Sequence, residues 1–182
     1  MNMRLILLLM FLFSGNVPAG TNDLRVFFSP NYGGEDCASN LVKTINQATN
    51  SIFVQTYTFT SSSIGNALLQ AKRRGVNVQI ISDPSAVLNR NAQIKVCANS
   101  GIPCRIDAKH RIAHNKVMII DRQFVVTGSF NYTEAAEYSN AENLPIIKNE
   151  ALAEQYIENW KRHCSHSTVY IGDKMEGQNN HE

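Results

Sequence analysis

Two short apolar runs, Val117-Met118-Ile119-Ile120 and Phe124-Val125-Val126-Thr127, are separated only by Asp121-Arg122-Gln123. Branched residues bounded by a polar turn read as two buried strands joined in a hairpin. This constrains the fold more than any other local pattern in the chain. A hairpin fixes register, and so decides which residues stand level with one another. The residues that enter the first strand are His114 and Lys116. Those that leave the second are Gly128, Ser129 and Asn131.

Side chains alternate across a strand, so His114 and Lys116 share a face, about 7 Å apart at roughly 3.3 Å per residue. One phosphate group reaches both. Gly128 lets the backbone approach a ligand closely, and Ser129 and Asn131 bring hydrogen-bond donors. Taken singly these residues are ordinary: a satisfied histidine, a hairpin-turn Asp121, a Gly-Ser turn. In order, on one hairpin, they assemble an imidazole, an ammonium, a hydroxyl and an amide suited to chemistry on a phosphodiester.

The chain has 182 residues, enough for one domain with a real core and too few for two. Its net charge of +2 gives no global basic field, so any nucleic-acid partner is held by local patches. Arg4 precedes the apolar run Leu5 to Phe13, and Val17 and Ala19 fit the small-residue positions of a cleavage site. Residues 1–19 therefore read as a signal peptide cut after Ala19. That run is too short to span a bilayer as a helix. The mature protein is expected outside the cytoplasm, secreted or periplasmic, without stable membrane association. An uncleaved anchor is the other reading of this segment.

Four cysteines, Cys37, Cys97, Cys104 and Cys164, suit an exported chain. Cys97–Cys104 would close a short loop across Ser100-Gly101, leaving Cys37–Cys164 to tie the first helix to the last. Four free buried thiols are the alternative. The spacing does not fit a zinc site.

Elsewhere strands and helices alternate. Strands are expected at residues 24–28, 51–57, 76–82, 102–106 and 144–147. Helices are expected at about 35–50, 61–74, 86–99 and 151–163, with Ser61 to Ser63 as a cap and Gly75 as a stop. Such alternation predicts a single α/β domain over residues 20–164, a mixed β-sheet flanked by helices on both faces. Residues 165–182 read as a polar, loosely ordered tail.

The H-x-K-x-x-x-x-D segment His114 to Asp121, the turn Gly128-Ser129-Phe130-Asn131-Tyr132-Thr133, and Asn140-Ala141-Glu142-Asn143 carry a family resemblance. Phe28-Ser29-Pro30, Tyr57-Thr58-Phe59-Thr60-Ser61 and Asn99-Ser100-Gly101-Ile102-Pro103 support it. From about Val26 to Trp160 the chain resembles the small, single-motif phospholipase D-type endonucleases of bacteria, which are secreted and resistant to EDTA. The resemblance implies a phospholipase D-like αβα sandwich. It implies His114 as a nucleophile forming a phosphohistidine, and Lys116, Ser129 and Asn131 as phosphate-binding groups. It implies Glu142 as the carboxylate that orients the imidazole, and Asp121 as a supporting member of the catalytic set. Its substrate would be nucleic acid, DNA first, with RNA open.

Expelling an alkoxide from a phosphodiester needs an acid, and the chain has no second H-x-K. His110, His163, His166 and His181 lack the pattern. A two-fold homodimer that sets His114 of two chains across one phosphate is the economical answer. The scheme needs no metal and no cofactor. His110 and His114 stand four apart, but in an extended segment that spacing does not make a zinc pair. Lys109-His110-Arg111 and Lys72-Arg73-Arg74 are candidate guides for a nucleic-acid backbone, although the second suits a helix C-terminus equally well. A phospholipase acting on phosphatidyl headgroups or cardiolipin is the alternative, and a non-catalytic nucleic-acid-binding protein is a third.

Overall fold

A computed structural model describes residues 23–31 and 33–172. The expected signal peptide and residues 173–182 lie outside the described residues. Strands β1 (Asp23–Ser29), β2 (Ser51–Thr56), β3 (Asn77–Ser82), β4 (Cys104–Ile106), β5 (Lys116–Ile120), β6 (Phe124–Val126), β7 (Glu142–Lys148) and β8 (Thr168–Tyr170) form one sheet in the order β1-β7-β6-β5-β2-β3-β4-β8. Pairing is parallel at β2–β3 and β3–β4 and antiparallel elsewhere.

Helices α1 (Cys37–Asn46), α2 (Ser62–Arg73) and α3 (Gln93–Asn99) pack on one face, and α5 (Glu150–His166) covers the other. A short helix α4 (Glu134–Tyr138) links β6 to β7. Every residue of β5 is buried. A strand covered on both faces needs a continuous apolar run rather than an alternating one. Met118 and Ile120 face the larger core beneath α1 to α3, while Val117 and Ile119 face α5. The α5 side is anchored by Trp160, whose ring lies 4.9 Å from that of Phe53 and whose Nε1 donates to the Val54 carbonyl at 3.1 Å.

The predicted mixed sheet with helices on both faces is what the chain builds, and the differences are local. The expected helix 86–99 is a 3₁₀ turn at Pro84–Leu88 followed by the shorter α3, because Asn89-Arg90-Asn91 interrupts it. Ser61 stands at the start of α2, but its hydroxyl meets Ser63 Oγ instead of capping the backbone. The tail expected from Ser165 is ordered through Gly172: α5 runs to His166, and β8 pairs with β4.

The two expected disulfides are absent, and all four cysteines are free thiols. Cys37 is buried with α1 on one face of the sheet, and Cys164 packs against the α5 cluster on the other. The sheet separates them, so no side-chain rotation joins them. Cys97 and Cys104 do share the larger core. There the Cys104 thiol is turned to the Ile94 carbonyl at 3.9 Å. Burial pushes the Cys97 thiol up to about 12 and the Cys104 thiol higher still.

Candidate active site

The functional residues gather at one end of the sheet because the strands that carry them are antiparallel neighbours. Thr56 at the end of β2 pairs with Lys116 at the start of β5, and Met118 pairs with Val126 near the end of β6. The chain therefore leaves β6 through Gly128 and Ser129 at the level where it enters β5. β7 begins beside them with Glu142.

His114 lies two residues before β5, in an extended loop rather than in the strand itself, and is exposed. Its ring packs on Tyr57 with centroids 4.6 Å apart. Lys116 is buried, and its Nζ donates to the His114 carbonyl at 2.8 Å and lies 5.1 Å from the Tyr57 ring centroid. Burial lowers the Lys116 pKa, and the nearby Glu142 carboxylate only partly opposes it. The imidazole is thus open to solvent, while the ammonium beside it is held from below.

Two further segments fix this end of the sheet. Asp83 is buried after β3, and its Oδ2 accepts from Ala113 N at 2.8 Å while Oδ1 accepts from Ser85 N and Oγ. The residue before His114 is therefore pinned to the segment that follows β3. Ser129 Oγ donates to Asn143 Oδ1 at 2.7 Å and accepts from Asn143 N at 3.1 Å. Gly128 makes this clip possible: its φ is +133°, and an added Cβ would meet the Asn143 carbonyl oxygen at 2.3 Å. Asn131 Oδ1 is buried without a hydrogen-bond partner. Its neighbour Tyr132 bridges to Phe59, which docks the loop onto the segment after β2.

His114, Lys116, Ser129, Asn131 and Glu142 thus come to one end of the sheet. Glu142 Oε1 accepts from Asn140 Nδ2 at 3.1 Å, and among the described residues no hydrogen bond joins it to His114. Asp121 is not at this site. It lies at the far end of β5, about 17 Å from Lys116 at roughly 3.3 Å per residue. There its carboxylate accepts from Thr49 N and Oγ1, Asn50 N and Ser51 N, at 2.7–3.0 Å. Burial opposes its ionisation, but these donors outweigh burial and hold its pKa below the usual carboxylate value. The aspartate of the motif fastens the β5–β6 turn to the start of β2.

Two of the three basic residues at the end of α2, Lys72 and Arg74, have structural partners. Lys72 Nζ donates to the Ser100 carbonyl at 2.6 Å, and Arg74 Nη2 donates to the Ile45 and Ala48 carbonyls. Lys109 and Arg111, by contrast, are exposed on the loop that leads to His114. Asp83 carried no local signal in the sequence, because its partner Ala113 is distant and contributes only a backbone N–H.

Residues 41–164 match the family model described as cardiolipin synthase, PLD-like domain. The chain is 40% identical over 144 residues to a phospholipase D of Rickettsia typhi, a match spanning 79% of this chain and 69% of that one. The chain belongs to the phospholipase D superfamily. It is 29% identical over 129 residues to the human mitochondrial cardiolipin hydrolase, covering 71% of this chain and about half (51%) of that one. Among solved structures, Nuc from Salmonella typhimurium, a phospholipase D family member, superposes with a TM-score of 0.77 at 38% identity, covering 82% of this chain and 98% of that one. NucT from Helicobacter pylori shares the fold, with a TM-score of 0.74 at 24% identity over 82% of this chain and 99% of that one. Membership of the phospholipase D superfamily makes the chain a phosphodiesterase by class, a hydrolase.

Proposed function

We propose that this phosphodiesterase is a metal-independent nuclease that cleaves DNA, and RNA secondarily, with little sequence preference. The observation that carries the reading is the exposed His114 imidazole, packed at a tilt against Tyr57 beside the buried Lys116 ammonium. A ring nitrogen of His114 attacks phosphorus, and the P–O bond to one sugar breaks. The leaving oxygen takes a proton from a second imidazole. Water then attacks the phosphohistidine, gives its proton to that second imidazole, and frees His114. Lys116, Ser129 and Asn131 stabilise the charge gathered on the pentacovalent phosphorus. The unpartnered Asn131 Oδ1 suits this role, since the amide oxygen and nitrogen exchange places on a half-turn and put an NH₂ donor there.

The second imidazole is the reason for assigning a homodimer. His114 is the chain's one histidine in an H-x-K pattern. A two-fold axis through the site would supply another. Exposed Lys109 and Arg111 favour a phosphate backbone as substrate, and contacts confined to phosphates carry no sequence information. The alternative, hydrolysis of phosphatidyl headgroups or cardiolipin, is favoured by the names of the curated relatives and by exposed Ile112, two residues before His114.

The test is cleavage of labelled single- and double-stranded DNA in excess EDTA, with His114→Ala alongside and circular dichroism confirming that both proteins stay folded. Cleavage by the unmutated chain alone supports the proposal. No DNA cleavage together with release of choline or phosphatidate from lipid vesicles transfers the site to the phospholipase reading. Cleavage by both proteins overturns His114 as the nucleophile.

A further inference from the structure

Four side chains that the phosphodiester chemistry does not use converge beside β4. Asp107 follows β4 and is fully buried. His110 lies in the loop that runs on to His114, and His163 and His166 lie three apart in the last turns of α5. His163 Nδ1 stands 2.6 Å from Asp107 Oδ2, His166 Nε2 stands 3.2 Å from Asp107 Oδ1, and His110 Nε2 stands 3.9 Å from Asp107 Oδ2. One ligand atom from each residue lies within 4.8 Å of all the others. We propose that Asp107, His110, His163 and His166 form a structural site for a divalent transition metal, zinc in the first instance.

The geometry of the rings supports this. Their centroids form a nearly equilateral triangle, with sides of 5.1, 5.4 and 5.4 Å. Imidazoles bound tetrahedrally at about 2.0–2.1 Å would hold their ring centroids about 5 Å apart. The rings already stand at that spacing without an ion between them. One imidazole satisfies a buried carboxylate, and His163 makes that hydrogen bond here. His166 Nε2 is buried 3.2 Å from Asp107 Oδ1 without a well-directed hydrogen bond, and His110 Nε2 stands farther off at 3.9 Å. Entry of the ion replaces the His163–Asp107 hydrogen bond with two metal–ligand bonds. Half-exposed His110 gives the ion a way in.

Three imidazoles and a carboxylate fill a tetrahedral shell and leave no open position for substrate, so the role is structural. The ion would staple the end of α5 to the loop that carries His114. It takes no part in the phosphoryl chemistry. β4 is three strands from β5, about 14 Å at roughly 4.8 Å per strand. This departs from the expectation of a chain without metal. Sequence spacing concealed the site because its ligands come from two segments that meet only in the folded chain.

The test uses the tag-free chain, stripped with a chelator and dialysed, then titrated with Zn²⁺ against a chromophoric competitor and with Co²⁺ by visible absorption. The expected result is one Zn²⁺ per chain, an intense tetrahedral Co²⁺ spectrum and a higher melting temperature. In His166→Ala and in His110→Ala, each of which keeps the Asp107–His163 hydrogen bond, affinity should fall at least 100-fold while circular dichroism is unchanged. His114→Ala should bind zinc as tightly as the unmutated chain. Absence of stoichiometric binding overturns the proposal. So does binding that survives in His166→Ala and His110→Ala, or that is lost in His114→Ala.

Discussion

Lys116 donates from Nζ to the carbonyl oxygen of His114, two residues back, at 2.8 Å. The cation that should hold the phosphate is thereby tied to the backbone of the residue that should attack it. Because burial disfavours the charged form, the Lys116 proton leaves at lower pH than it would from an unfolded chain. Stability therefore rises as pH climbs through the folded value, whereas phosphate binding is lost there. kcat/KM should fall on the alkaline side at a pH below that of a free lysine. In Lys116→Arg, whose guanidinium does not titrate, that limb should vanish, while kcat drops about 10–100-fold for loss of the compact ammonium. A pH–rate profile of both proteins decides it, and an unmoved alkaline limb would remove Lys116 from the chemistry.

Asp121 should matter for stability and not for turnover. Replacing its carboxylate in Asp121→Ala strands the donors of Thr49, Asn50 and Ser51 and should cost about 1–3 kcal/mol. Its folded pKa is depressed, so its contribution is present above the unfolded value and is lost as pH falls through the folded one. Urea melts at neutral and acid pH should show the gap between Asp121→Asn and the unmutated chain closing in acid. kcat should change less than about two-fold, and a large loss would return Asp121 to the site.

Asp83 is a positioning residue. In Asp83→Asn one of its two oxygens becomes an NH₂ group, so either the Ala113 N–H or the Ser85 donors lose their acceptor. His114 should then wander, and kcat should fall about 10–100-fold with little change in KM. A matched fall in stability alone, with kcat intact, would make Asp83 a purely structural anchor.

Gly128→Ala adds a Cβ against the Asn143 carbonyl oxygen at a φ that L-residues avoid. The expected cost is about 2–3 kcal/mol, with loss of the Ser129–Asn143 clip. Thermal unfolding measures the first, and the KM for a short oligonucleotide measures the second.

A dimer built from one unmutated chain and one His114→Ala chain tests the shared site. If each phosphate needs both imidazoles, the hybrid should keep under a tenth of normal activity. Retention of half would mean that each chain works alone.

The hairpin and its flanking His114, Lys116, Ser129 and Asn131 were readable because local periodicity and turn chemistry set them. The longer helices α2 and α5 were readable for the same reason. Missed features depend on tertiary context. β8 has three residues and exists because the β4 edge accepts it. α4 is five residues capped by Thr133, too short for periodicity to show. The Cys37–Cys164 pairing failed because sequence spacing does not say on which face of a sheet a thiol lies. The Asp107 cluster was hidden because α5 returns to the loop after β4 only once the chain has folded.

β1 pairs only with β7, so Asp23 finds its partner Lys148 after almost the whole domain has been made. The first strand of the described residues must therefore wait, unpaired, for nearly the last. Pairing across so long a stretch of chain is slow, and the sheet cannot close on a partial product.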